Sequence, residues 1–434
     1  MPEIQAFRGI RYDLGHVGSL SDVTAPPYDV ISPELQDALY KRHPYNIVRL
    51  ILNRIEPADD NEANNRYTRA AQFFKRWKAE GVLFPEADPA IYVYYQQFAL
   101  GGRTHVRRGF MARVRLQKFG EGLIFPHEET MPSAKLDRLM LTAVCKANLS
   151  QVFGLFPDAQ KEAGGILDQA VAGLTPLEAV DCWGVIHRMW PVTNLEFISD
   201  LARLMAPKPI FIADGHHRYE TACKYREEVY DSGFLRPDHP ANYVLMACVA
   251  MEDPGLMVLP THRLFGGLPE LTSQELAFRL AGCFDTEVLG EGPEAAGNVW
   301  EQIEAEDDQG TLALFARKDQ RWIAARVTDR GRAKMAEVAE EHSPQWQQLG
   351  VSLLHRLILE TLLGEKASSE TRYVHLIEDV VEGLRKNQFP LAALVMPATV
   401  DHIRAISMQG ERMPPKSTYF FPKLLAGLVI NPLE

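Results

Sequence analysis

Asp214, Gly215, His216, His217 and Arg218 stand together in "IFIADGHHRYETACKYR", where a short apolar run gives way to a helical pattern. A strand followed by a tight turn and a helix start is a natural anion site. The first N–H groups of a helix lack intrahelical partners and point outward. Gly215 permits close approach of a ligand to the backbone. Arg218 offers a two-pronged fork for phosphate oxygens. Asp214 stands where a metal ligand or proton acceptor would stand. The competing explanation is that Asp214 merely caps the helix while the histidines and arginine face solvent. Zinc suits the pattern poorly, because neighbouring histidines on a helix do not converge on one ion and no third ligand has the right spacing.

Two further patches carry chemistry. "FPHEETMPSAKLDR" gathers His127, Glu128, Glu129, Lys135, Asp137 and Arg138 between apolar segments. A carboxylate beside a histidine after a rigid proline is a candidate general base. Lys135 and Arg138 are three residues apart, so on a helix they share a face. "MPPKSTYFFP" presents Lys416, Ser417 and Thr418 after two stiffening prolines, a cation and two hydroxyls suited to a carboxylate or phosphate. The plainer alternatives are a solvated loop entering a helix and the approach to an edge strand. Weaker candidates are Tyr28 and Asp29 in "APPYDVIS", Asn46 and Arg49 in "HPYNIVRL", and His262 with Arg263 in "LPTHRLF", which reads as structural. The sequence has no GxxxxGK[ST], GxGxxG or GxSxG motif, so P-loop, dinucleotide-fold and α/β-hydrolase readings lack support.

The elements that must position these patches follow from turn chemistry and periodicity. Ser32 and Pro33 open a helix. "NNRYTRAAQFFKRWKAEG" is an amphipathic helix closed at Gly81. "AIYVYYQQFALGGRTHVRRGFMARVRL" is a hairpin turning at Gly101-Gly102. "LDRLMLTAVCKANLSQVFGLF" is a helix running into a strand, and "PIFIA" and "NYVLMACVAM" are further strands. Beyond Thr261 helices alternate with a second hairpin, "TLALFARKDQRWIAARV", followed by the apolar helix "VSLLHRLILETLLG" and the strand "LAALVMP". The fold class expected is mixed α+β, with domains at 1–265 and 266–434. The second domain supplies Lys416 to Thr418 and is expected to close over the site. The apolar C-terminal stretch is expected to fold back onto the body.

Bulk composition bounds the partners. The chain has 434 residues, 46% hydrophobic and 24% charged, which is ordinary globular material. A net charge of -11 argues against a broad nucleic-acid surface. The five cysteines have no zinc or disulfide spacing and read as reduced thiols. There is no secretory signal pattern and no apolar run long enough to span a bilayer, so a cytoplasmic protein without nucleic-acid or membrane partners is expected. The oligomeric state is not set by the sequence.

Taken together, "APPYDVIS", "HPYNIVRL", "FPHEETMPSAKLDR", "IADGHHRYETA" and "MPPKSTYFFPKL" resemble the bacterial family named domain of unknown function 1015, over nearly the whole chain. "DGHHR" after an apolar strand also resembles the ParB/sulfiredoxin superfamily, whose free serine kinases carry "PHE", "DGHHR" and a Pro-Lys-hydroxyl-Thr segment in this order. The resemblance implies a ParB/sulfiredoxin-like core with insertions and an α/β C-terminal region. It implies a kinase making O-phosphoserine from free L-serine, with Mg2+ and a donor that is ATP, ADP or pyrophosphate. Glu128 would be the base. Asp214 would support catalysis and the metal, with His216 beside it. Gly215, His217, Arg218, Lys135 and Arg138 would hold nucleotide phosphates. His127, Lys416, Ser417 and Thr418 would bind substrate. These kinases continue with Arg-His where this chain has Tyr419-Phe420. The alternatives are a nucleotide-binding regulatory switch, or a phosphatase or phosphotransferase on another small hydroxylated metabolite.

Overall fold

The computed structural model describes residues 2–60, 63–366, 370–386 and 389–434. They form a mixed α+β protein of two compact units. The first comprises Met1–Pro126, Thr130–Met257 and Pro422–Glu434; the second comprises His127–Glu129 and Val258–Phe421. Neither unit is one continuous segment, so a single boundary at residue 265 does not describe them.

The first unit is organised on a nine-stranded sheet. Along the sheet run Ile124–Phe125, Ile210–Asp214, Val152–Phe156, Tyr243–Ala250, Arg103–Arg115, Ile91–Leu100, Ile186–Val192 and Leu177–Val180, with Ile4–Gln5 added on Arg103–Arg115. Ile210–Asp214 pairs in parallel with Ile124–Phe125 and antiparallel with Val152–Phe156. Tyr243–Ala250 and Ile210–Asp214 are apolar along nearly their whole length because residues on both faces are buried. The Gly101-Gly102 hairpin forms as its sequence predicts, with both glycines at positive φ. The helices Pro33–Arg42, opened by Ser32, and Arg66–Ala79, opened by Asn65, also match the turn chemistry. The C-terminal stretch returns to this unit, where Asn431–Pro432 pairs with Ala147–Asn148.

The second unit has a six-stranded antiparallel sheet in the order Phe284–Glu291, Arg321–Val327, Thr311–Ala316, Leu391–Val395, His262–Phe265, Arg372–Val374. Helices Ala296–Glu306 and Ile377–Arg385 place Val299, Ile303, Val380 and Leu384 against Leu264, Phe315, Trp322 and Leu394. The apolar helix continues from Gly350–Ser352 as a π-helix over Leu353–Leu363 and stops at Gly364, which is left-handed. Among the described residues no helix is long and apolar enough to cross a membrane.

Candidate functional site

The turn Asp214–Arg218 of the first unit begins where Ile210–Asp214 leaves the sheet. Gly215 follows at φ 87°, a left-handed conformation, and the helix His216–Asp231 starts at once. Glycine is needed twice over here. Any Cβ would be strained at that φ, and it would lie 2.9 Å from the guanidinium of Arg218. Arg218 turns back over the glycine. Its Nη1 donates to the Gln151 carbonyl and its Nη2 reaches Asp214 Oδ1 at 3.4 Å. The guanidinium therefore braces the turn from inside instead of offering an open fork.

Asp214 is engaged on its other oxygen too. Lys423 Nζ donates to Oδ2 at 2.7 Å, and both side chains are largely buried. Burial alone would raise the Asp214 carboxyl. The Lys423 ammonium, the Arg218 guanidinium and His216 outweigh burial and hold it well below the usual carboxylate range. Lys423 went unread in the sequence, where its one signal is a cation inside an apolar run. Its backbone is gripped by a buried polar network. Gln96 Nε2 donates to the Lys423 carbonyl at 2.9 Å, and Arg107 donates to both Gln96 Oε1 and the Pro422 carbonyl. The Arg107 guanidinium is pushed down by burial to about 10, so it stays charged at neutral pH.

The other residues of this unit go to separate partners. His216 is buried. His217 Nε2 accepts the Met131 N–H at 2.9 Å, tying the turn to the start of the helix Pro132–Cys145. Lys135 pairs with Glu220 at 3.0 Å beside an open cleft of about 480 Å³, walled by Phe119, Leu136, Leu139 and Cys223. Arg138 turns inward. It donates to Asp137 and the Ile51 carbonyl and lies 3.9 Å from the Tyr28 ring centre. Lys135 and Arg138 thus do not act on a common surface, whereas Arg138 and Arg218 line one small cavity of about 30 Å³. Asn46 bonds the Asp22 and Thr24 carbonyls, and Arg49 bonds that of Tyr40; both hold the C-terminal ends of short helices.

The expectation that Asp214 holds Mg2+ meets a carboxylate already paired with two cations. Among the described residues no group of three or more His, Cys, Asp or Glu side chains is arranged to hold a metal ion.

In the second unit the segments of His127 and Glu128 and of Lys416 to Thr418 are brought together from opposite parts of the chain. Glu128 bridges Met413 in parallel, and Met413 N–H donates to the His127 carbonyl at 2.8 Å. Glu128 Oε1 accepts the Lys416 N–H at 3.1 Å. The Glu128 carbonyl accepts from Arg412 Nη1 at 2.7 Å. His127, buried, has its Nε2 2.8 Å from Thr418 Oγ1. Lys416 is left-handed at φ 58°, and Ser417 Oγ donates to the Pro414 carbonyl, closing the turn. The lysine side chain is exposed, so its backbone, not its ammonium, does the holding.

No functionally curated protein matches the chain in sequence. Several solved structures resemble it. A mutant free serine kinase in complex with ADP is 15% identical, with 69% of this chain and 84% of that chain covered and a TM-score of 0.33. A conserved hypothetical protein from Pyrococcus furiosus is 13% identical, with 70% and 89% covered and a TM-score of 0.30. A C-terminally truncated SbnI from Staphylococcus aureus is 11% identical, with 74% and 87% covered and a TM-score of 0.34. Residues 4–352 match the family described as a protein of unknown function (DUF1015), and the chain belongs to that family.

Proposed function

We propose that the chain is a phosphotransferase with a ParB/sulfiredoxin-like core, acting on free L-serine to give O-phosphoserine. The observation that carries this reading is the pairing of His127 and Glu128 with Lys416 to Thr418, segments 288 residues apart at the Glu128–Lys416 bond. These are two of the three segments, with Asp214 to Arg218, that carry the sequence resemblance to free serine kinases. A pure nucleotide switch has no need of a fixed carboxylate beside a hydroxyl-lined turn.

On this reading Glu128 keeps Oε1 on the Lys416 N–H and uses its second oxygen as the base. The serine hydroxyl gives its proton to that oxygen while its own oxygen bonds to the donor's terminal phosphorus. The P–O bond to the leaving group breaks, and the electron pair departs with the shortened nucleotide or phosphate. Thr418 and His127 orient the substrate. The backbone N–H groups at His216 and His217, where the first unit's helix starts, are the candidates for holding phosphate oxygens. Mg2+ is assigned to the donor as its counter-ion, and no step is derived through it.

The test is incubation of purified protein with L-serine, Mg2+ and ATP, ADP or pyrophosphate in turn, with O-phosphoserine detected by mass spectrometry. Product with one donor, lost in Glu128→Gln, supports the kinase and names the donor. No product with any donor, alongside clear nucleotide binding, favours the switch or another hydroxylated acceptor.

A further inference from the structure

Arg263 lies in the strand His262–Phe265, inside the second unit's sheet between Leu391–Val395 and Arg372–Val374. It is 1% exposed. A buried guanidinium is costly unless charge or hydrogen bonds repay its lost hydration. Here no carboxylate among the described residues does so; burial pushes the group down to about 10, and only the Tyr373 hydroxyl pulls the other way. Its terminal nitrogens go to two backbone carbonyls. Nη1 donates to Thr261, and Nη2 donates to Lys416 at 2.8 Å. Its Cζ lies 5.7 Å from the Tyr373 ring centre.

The second carbonyl is the informative one. Lys416 is the residue whose N–H holds Glu128 Oε1. It is also held left-handed, a conformation unfavourable for a non-glycine residue. Something must fix that conformation, and the buried guanidinium grips the same residue from its carbonyl end. We propose that Arg263 is a positioning residue for Glu128, acting through the Lys416 backbone. The fold spends a buried, acid-free arginine to aim one N–H. This rests on the reading of Glu128 as the base.

The test compares Arg263→Gln and Arg263→Lys with the parent protein. The first readout is amide deuterium uptake by mass spectrometry over residues 413–418, with the strand Thr311–Ala316 as internal reference. It needs no turnover, so it stands even where the parent makes no O-phosphoserine, a result that would sink the kinase reading alone. Uptake over 413–418 is expected to quicken about tenfold in Arg263→Gln at unchanged reference uptake, since the left-handed turn loses its clamp. The second readout is steady-state kinetics. A loss of about tenfold to a hundredfold in kcat is expected at unchanged donor KM, with Arg263→Lys partly restoring it. Unchanged uptake over 413–418, or faster uptake with full kcat in an active parent, overturns the assignment. Failure of both variants to fold also overturns it and makes Arg263 a determinant of the sheet.

Discussion

Asp214 in the first unit is held by two side-chain cations, Lys423 and Arg218, whereas Glu128 in the second is held on one oxygen by a backbone N–H. Among the described residues no ion pair reaches Glu128. The difference separates two tasks for one functional group. A carboxylate between two buried cations is fixed as an anion and makes a poor proton acceptor. One held by a single neutral donor is aimed without being neutralised, which suits a base.

The comparison breaks most visibly at Glu128. Glu128→Gln keeps the size and an acceptor oxygen for Lys416 but loses basicity. Turnover is expected to fall by about 10²–10⁴ with nucleotide affinity unchanged, as read by product formation and calorimetry. Full turnover would remove Glu128 from the chemistry.

Lys423→Met tests the pairing of Asp214. It leaves a buried carboxylate short of a cation, with an expected stability loss of about 3 kcal/mol in urea unfolding. Adding Asp214→Asn should recover much of that loss, because the orphaned charge is gone. A double variant no more stable than Lys423→Met would mean that the ion pair is not the source.

Lowering pH sharpens the contrast from another side. In the second unit burial, with Arg263 nearby, pushes His262 and His355 down to about 3. Unfolded, each takes up its proton near 6.5. Between those values the unfolded chain holds more protons than the folded one, so stability falls as pH falls, by up to about 1.4 kcal/mol per pH unit for each histidine. Asp214 has the opposite partners but the same direction. Its contribution is present above the ordinary carboxylate range and is lost only as pH falls through its depressed folded value. Urea unfolding at pH 7.5 and pH 5 should therefore show a loss that His355→Leu reduces and Asp214→Asn does not. An equal loss in His355→Leu would count against the histidine.

The smallest effects concern the two left-handed residues. Gly215→Ala should cost about 1–2 kcal/mol, from its positive φ and the guanidinium at 2.9 Å. Lys416→Gly should change stability by less than about 1 kcal/mol in the favourable direction, since glycine relieves the turn but frees the unfolded chain. Thermal unfolding of the two variants reads both, and a strongly destabilised Lys416→Gly would contradict the account of that turn.

How far the sequence disclosed all this depended on the range of the interactions. Ile210 to Arg226 was legible because strand, turn and helix are local and each has its own residue pattern. The Gly101-Gly102 hairpin was legible for the same reason. Glu128 and Lys416 were legible as patches, but nothing in a linear pattern announces a bond across 288 residues. Lys423 was hidden by its apolar neighbours. Lys135 and Arg138 share a helix face in the ideal spacing, yet Tyr28 and Asp137 draw the arginine inward. Arg263 looked structural at a strand end, and only its bond to Lys416 suggests more.

The pairing of Asp214 with Lys423 also has a place in time. The two residues are 209 positions apart, and at about 5–20 residues per second the ribosome needs roughly 10–40 s to travel from one to the other. Throughout that interval a nascent chain carries the Asp214–Arg218 turn with Arg218 but without its second cation. The strand Ile210–Asp214 can join its neighbours Ile124–Phe125 and Val152–Phe156 during the wait, since both precede it. Translation order thus works as an interlock: the scaffold of the turn is ready early, and its charge balance is completed only once Lys423 has been made.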